Sequence, residues 1–182
     1  MQWQNWNIIN VEGIMYSIDF VDEKDAQKMI EFIKKIKEEN LDTLYHFSHI
    51  PDYKEEKEFI QNYYDWGGII FCAKIYDEIV GLITVARYKN PQLKHSVIFG
   101  ISVLKEYRDK GIGTALINRL IEWSKQNDVF RIELEVFSNN FGAIKLYKKL
   151  GFVTEGVKKG AVLINDDYKD IIMMVYRVRN EE

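Results

Sequence analysis

The sequence is poor in the residues on which several classes of protein depend. A single cysteine, Cys72, excludes an intramolecular disulfide and a Cys-x-x-Cys metal site. Only 2 prolines and 11 glycines occur among 182 residues, which excludes collagen-like and low-complexity chains.

Neither an excess of positive charge nor a long apolar run is present. The 25 basic and 28 acidic residues give a net charge of −3, so the overall basic footprint of a nucleic-acid-binding protein is missing. No apolar stretch approaches the roughly 18 residues of a membrane span. Residues 1–6 lack the charged and apolar regions of a signal peptide. We therefore expect a cytoplasmic protein that has neither nucleic acid nor a membrane as a partner.

The composition that is present fits a globular chain. Hydrophobic residues make up 47% of the sequence and charged residues 29%, which is enough apolar material for a full core. Cys72 lies within the apolar run 69–73, so we expect its thiol to be buried in that core.

Hydrophobic periodicity predicts strands and helices in the order β-α-α-β-β-β-α-β-α-β-β. The predicted strands are 14–20, 69–75, 79–88, 95–104, 131–137, 152–157 and 171–178, with 161–164 as a possible addition. The predicted helices are 23–39 after an Asp22 cap, one that starts at Pro51, one that continues through 116–124, and 140–150 with Gly151 behind it. This order, without a linker or an internal repeat, predicts one mixed α/β or α+β domain over 1–182.

A basic, glycine-bearing loop joins a strand to a helix at 103–116. The first N–H groups of a helix have no partner within it, and glycines let an anion approach the backbone closely. A P-loop is excluded because Thr114 follows Gly113 where a lysine is required. A dinucleotide-binding loop fits poorly because Leu116 stands at the third glycine position. A plain helix N-terminus stays open as an alternative.

The spacing Arg108-x-x-Gly111-x-Gly113 after a strand resembles the acyl-CoA pyrophosphate loop of the GCN5-related N-acetyltransferases, the GNAT family. A second stretch, 134–152, resembles that family's next motif, in which a strand and an asparagine precede a helix ending in Leu-Tyr-x-x-Leu-Gly-Phe. The pattern is most similar to the branch that acetylates ribosomal proteins and small amines.

The resemblance implies a fold and a co-substrate. The fold would be a splayed, twisted mixed sheet flanked by helices, with acetyl-CoA bound in the opening and no metal. The residues that match the family's acetyl-CoA contacts are Ile101, Ser102, Val103, Arg108, Asp109, Lys110, Gly111, Ile112, Gly113, Thr114, Asn140 and Tyr147.

Acetyl transfer from a thioester to an amine sets its own chemical requirements. The amine must lose a proton to a base or to water, and the departing thiolate needs a proton. Tyr147 matches the family's general acid, since a phenol can donate to a thiolate. Glu135, twelve residues earlier, resembles the base of the ribosomal-protein branch. His95 and water are the alternatives, because a histidine titrates near neutrality.

The acceptor is the least constrained part of the prediction. The resemblance implies a primary amine on a small molecule or at a peptide N-terminus, and a last strand that lines the acceptor site or a homodimer contact. The alternative function is a non-catalytic acyl-CoA-binding sensor or interaction module that keeps the loop without turnover.

Overall fold

The computed structural model describes residues 6–9 (backbone only), 15–39 and 49–178. The strands are β1 (Trp6–Ile9), β2 (Met15–Phe20), β3 (Ile69–Ile75), β4 (Glu78–Arg87), β5 (Ser96–Val103), β6 (Arg131–Phe137), β7 (Val153–Ile164) and β8 (Asp167–Arg177). The helices are α1 (Ala26–Glu38), α2 (Tyr53–Asp65), α3 (Ile112–Lys125) and α4 (Phe141–Lys149). The predicted order is confirmed, with β1 as an unpredicted addition and Ile14, the predicted start of the first strand, outside the described residues.

The first two helices begin at aspartate caps. Asp22 accepts a hydrogen bond from the Lys24 backbone N–H, as predicted, but a short 3₁₀ turn precedes α1. The prediction that α2 starts at Pro51 was wrong. Asp52 is the cap and accepts from the N–H groups of Lys54 and Glu55 at 2.8 and 2.9 Å, while the Glu55 carboxylate accepts from the Asp52 N–H. This capping box fixes the start one residue after Asp52 and leaves Pro51 outside the helix.

The chain divides into two compact units, and β5 and α3 contribute residues to both. The first unit contains 47–86 and 101–120 together with the N-terminal region. Its strands β1 to β4 pair antiparallel in chain order, and Leu104, just past β5, donates its N–H to the Val80 carbonyl at 3.0 Å. Cys72 faces Leu82 on the neighbouring strand and is fully buried, as predicted, and burial raises the pKa of its thiol to about 12.

The second unit contains 87–100 and 121–182. In it β5 pairs parallel with β6, and β6 pairs antiparallel with β8, which pairs antiparallel with β7. The predicted strand 152–157 and the possible strand 161–164 are both extended, but they form one strand, β7, rather than two. A bulge separates the two halves: Lys158 pairs with Ile171, but the regular register resumes only at Val162. Asp170 closes the bulge by accepting from the Gly160 N–H at 2.9 Å.

These elements form a mixed sheet flanked by helices, so the predicted fold class is confirmed. The extent of one domain over 1–182 stays a prediction. Over the described ranges, no helix combines the length and apolarity needed to cross a membrane.

Candidate functional site

The start of α3 presents backbone donors that have no acceptor within the helix. The first backbone hydrogen bond of the helix runs from the Ala115 N–H to the Gly111 carbonyl at 3.0 Å. The N–H groups of Ile112, Gly113 and Thr114 come before it, so they have no acceptor within the helix. They also lie at the positive end of the helix dipole. This arrangement suits an anion such as a phosphate.

Gly111 keeps the approach to these donors open. Its φ of +77° lies in the left-handed region that glycine adopts without strain. Among the described residues, a Cβ atom at this position would meet one atom within 4 Å, the Tyr16 hydroxyl oxygen at 4.0 Å. Gly113, in contrast, lies in the first turn of α3, so the two glycines of the motif have different backbone roles.

Arg108 is turned back into the protein. Its Nε donates to the Val103 carbonyl at 2.9 Å, and its Nη2 forms an ion pair with Glu39, which follows the last residue of α1. The other Glu39 carboxylate oxygen accepts from the Lys105 N–H at 2.6 Å. Arg108 and Glu39 therefore tie the loop to the end of β5 and to the end of α1.

The other predicted cofactor-binding residues of the first unit form one continuous segment. Ile101, Ser102 and Val103 are the half-buried end of β5, and Asp109 adopts a left-handed φ of +59°. Ile112 is buried. Its Cγ2 would lie 3.0 Å from a Cβ on Gly81, so the start of α3 packs closely on β4.

In the second unit, Tyr147 lies in an aromatic cluster. Its ring contacts Phe99 edge-on at 6.1 Å between centroids and Phe152 at 5.8 Å. Gly151, with a φ of +94°, ends α4 as predicted. The Phe152 N–H bonds to the Tyr147 carbonyl and the Gly151 N–H to the Lys148 carbonyl, which is the Schellman arrangement.

The Tyr147 hydroxyl is kept protonated by its surroundings. The residue is 6% exposed, and burial raises its pKa to about 12. Among the described residues its hydroxyl has no hydrogen-bond partner. Asn140 caps the same helix, because its Oδ1 accepts from the Ala143 N–H at 3.1 Å.

The candidate bases of the second unit stand in different surroundings. Glu135 forms an ion pair with Lys158 of β7. Glu133, on the same face of β6, accepts from the Tyr88 hydroxyl at 2.8 Å and from Arg131 Nε at 2.6 Å. His95 is exposed and precedes β5, whereas the glycine-bearing loop follows the other end of that strand.

No hydrogen bond between described residues joins Tyr147, Glu135 and His95 to one another. Their catalytic roles stay predictions. No group of three or more metal-ligating side chains occurs within the described ranges.

Two residues beside the loop were missed by sequence analysis, Tyr16 and Glu39. The sequence around Tyr16 does not indicate a binding role, because Tyr16 is one of the alternating apolar residues expected in a half-buried strand. Glu39 carries a weak one, because an acidic residue at the C-terminal end of a helix opposes the helix dipole and needs a compensating partner.

Comparison with known proteins shows which family the chain resembles. The model of the Acetyltransferase (GNAT) family matches residues 33–152. L-amino acid N-acetyltransferase AaaT of Escherichia coli (strain K12) is 39% identical over 106 residues, which are 56% of this chain and 64% of that protein. The ribosomal protein bS18-alanine N-acetyltransferase of the same strain is 33% identical over 82 residues, 45% of this chain and 55% of that protein. The chain spans less than two thirds of the length of these relatives.

A solved structure shares the fold. The Salmonella typhimurium protein yncA, solved with its cofactor acetyl-CoA, superposes with a TM-score of 0.80 over 91% of this chain and 95% of that one, at 16% identity. At that identity the likeness concerns the fold, whereas the family model covers most of the chain's length, including the loop and α4. The chain is a member of the GNAT acetyltransferase family.

Proposed function

We propose that the chain is an N-acetyltransferase that moves the acetyl group of acetyl-CoA to a primary amine. The observation that carries the proposal is the start of α3, where three N–H groups without an acceptor in the helix follow Gly111. A phosphate is the anion that this arrangement suits best. The loop that presents it has the family's arginine and glycine spacing.

Acetyl-CoA would supply an activated thioester and a pyrophosphate by which it can be held. In the proposal, the segment from Arg108 to Thr114 binds the pyrophosphate through backbone N–H groups. Arg108 shapes this loop through its bonds to Val103 and Glu39. The backbone of 101–103 and the Asn140 side chain bind the cofactor arm, as the family resemblance implies.

Tyr147 is the proposed proton donor to the departing thiolate. A pKa of about 12 keeps its hydroxyl protonated throughout the physiological range. Its hydroxyl has no hydrogen-bond partner among the described residues, so its proton is available for donation to a ligand.

Glu135 is the proposed base. Its partner Lys158 is about half exposed, with 47% of its side chain accessible. Ion pairs at such sites contribute at most about 1 kcal/mol, so an incoming amine can displace the lysine at little cost. His95 and water are the alternatives if Glu135 proves dispensable.

The proposed acceptor is the α-amino group of an amino acid or of a peptide. The two curated relatives are named for an L-amino acid and for the alanine of a ribosomal protein. The shared chemistry of these acceptors is a primary amine on the α-carbon, one bond away from the carbonyl carbon. A second copy of the chain as a partner is part of the prediction as well.

The proposal is tested in two steps. Isothermal titration with acetyl-CoA measures binding, and thiol release is then followed with L-amino acids, peptides and polyamines. Peptides of the same sequence with a blocked N-terminus are the matched control. We expect thiol release with free α-amines and none with blocked peptides. Binding without turnover on any amine would favour the sensor alternative, and absence of binding would refute the proposal.

A further inference from the structure

The Tyr16 hydroxyl points at the N-terminal end of α3. Tyr16 lies on β2, and its oxygen is 4.0 Å from the position that a Cβ on Gly111 would take. Both residues belong to the first unit. The hydroxyl is therefore next to the three N–H groups that begin the helix and have no acceptor within it.

The Tyr16 side chain is largely buried, with the residue 5% exposed, and its hydroxyl has no hydrogen-bond partner among the described residues. Two other tyrosines of the chain differ in this respect. Tyr64 donates to the Val21 carbonyl at 2.6 Å, and Tyr88 donates to Glu133 at 2.8 Å. The Tyr16 hydroxyl, held in place by a largely buried ring, therefore keeps its donor available for a ligand.

We infer that Tyr16 is a binding residue whose hydroxyl donates a hydrogen bond to the pyrophosphate held at the start of α3. The inference rests on the proposed function. Three backbone donors and one phenol donor would then converge on one anion. A neutral donor adds direction without adding charge, and bonds to a charged acceptor are the stronger class of hydrogen bond.

The protonation state of Tyr16 agrees with this role. Burial raises the pKa of its hydroxyl above the ordinary tyrosine value, so the group is a donor at physiological pH. The pyrophosphate, rather than the cofactor's 3′-phosphate, is the assigned acceptor because the oxygen lies beside Gly111, the residue just before the three backbone donors.

Tyr16→Phe tests the inference, because it removes the oxygen and keeps the ring. Tyr76→Phe is the matched control, since Tyr76 is 98% exposed at a hairpin tip. Binding of CoA, dephospho-CoA and pantetheine is measured by calorimetry for the wild type and both variants. We expect Tyr16→Phe to weaken CoA and dephospho-CoA equally, by about tenfold. Pantetheine binding by Tyr16→Phe should be unchanged, and so should its melting temperature. Tyr76→Phe should bind all three compounds as the wild type does.

Other outcomes overturn the inference. Wild-type affinity for CoA in Tyr16→Phe would make the hydroxyl irrelevant to binding. A loss confined to CoA would move the contact to the 3′-phosphate, and a loss that extends to pantetheine would indicate a general distortion. A wild-type protein that binds no CoA would instead refute the proposed function itself.

Discussion

The Tyr147 hydroxyl has no hydrogen-bond partner among the described residues, whereas the Tyr64 hydroxyl donates to the Val21 carbonyl. Phe99 and Phe152 hold the Tyr147 ring, and the Schellman bond from Phe152 holds its carbonyl. The ring is thus fixed by packing rather than by its oxygen. Removal of the oxygen should therefore leave the fold intact and report on chemistry alone.

Tyr147→Phe should lower the rate of the chemical step by about tenfold to a thousandfold, within or near the range of general acid catalysis. Acetyl-CoA affinity and melting temperature should change little. Thiol release at saturating acetyl-CoA gives the rate, and calorimetry gives the affinity. Tyr176→Phe is the control, because Tyr176 contacts Phe152 in the same cluster. If Tyr147→Phe turned over as fast as Tyr176→Phe, Tyr147 would be a packing residue and not the proton donor.

Glu56 shows a different consequence of burial. It lies near the start of α2, is 3% exposed, and its Oε1 has no hydrogen-bond partner among the described residues. Burial raises its pKa from 4.5 to about 7. Because the folded-state pKa is the higher one, the acid form favours folding below pH 4.5, and this contribution is lost as the pH rises through about 7.

Glu56→Gln should therefore change the pH dependence of stability. Its free energy of unfolding relative to the wild type should rise by about 2–3 kcal/mol between pH 4.5 and pH 8, since one pKa unit corresponds to about 1.4 kcal/mol. Urea unfolding at the two pH values measures this. Glu58→Gln, on the exposed side of the same helix, should show no such change. A difference between Glu56→Gln and the wild type that does not vary with pH would contradict the assignment.

At the scale of elements, Glu39 connects the end of α1 to the loop before α3. Glu39 stands where the helix dipole disfavours a negative charge, and two donors from the loop offset that cost. The same bonds occupy the Arg108 side chain. The loop is thereby shaped before any ligand arrives, which reduces the ordering cost of binding.

Gly111→Ala tests the loop and its open approach. At a φ of +77° an alanine should cost about 1–2 kcal/mol of stability, and its Cβ would enter the space in front of the α3 backbone donors. Acetyl-CoA affinity should fall at least about tenfold. Gly67→Ala is matched in backbone strain, with a φ of +78° at the end of α2, and should lose comparable stability but no affinity. Affinity lost equally in both variants would assign the effect to the fold rather than to the loop.

At the scale of the whole molecule, local patterns predicted most elements, because the hydrophobic periodicity of a strand or a helix depends only on residues close together in the sequence. The glycine-bearing loop and α4 were predicted for the same reason. The start of α2 was misplaced because the Asp52 capping box overrides the signal of Pro51. The bulge in β7 was interpreted as a break between strands, since its irregular residues interrupt the alternation.

The parts of the site that sequence could not predict depend on distant residues. Glu39 and Arg108 are 69 positions apart, and the sequence around either residue does not indicate that the other is its partner. Tyr16 approaches Gly111 only because β2 and the start of α3 meet in the folded first unit. Such contacts are products of topology, so a motif can locate the loop without revealing which side chains complete it.

The bulge in β7 also bears on how the protein behaves at high concentration. β7 is the last strand in the order of the second unit, and Val153, Val157 and Leu163 are exposed on it. A long apolar edge strand invites pairing with other chains and hence aggregation. Here the bulge between Lys158 and Val162 interrupts the row of backbone donors and acceptors, and Lys158 and Lys159 add charge beside it. The irregularity that divided this strand in the sequence prediction thus leaves the edge less suited to pairing with another chain.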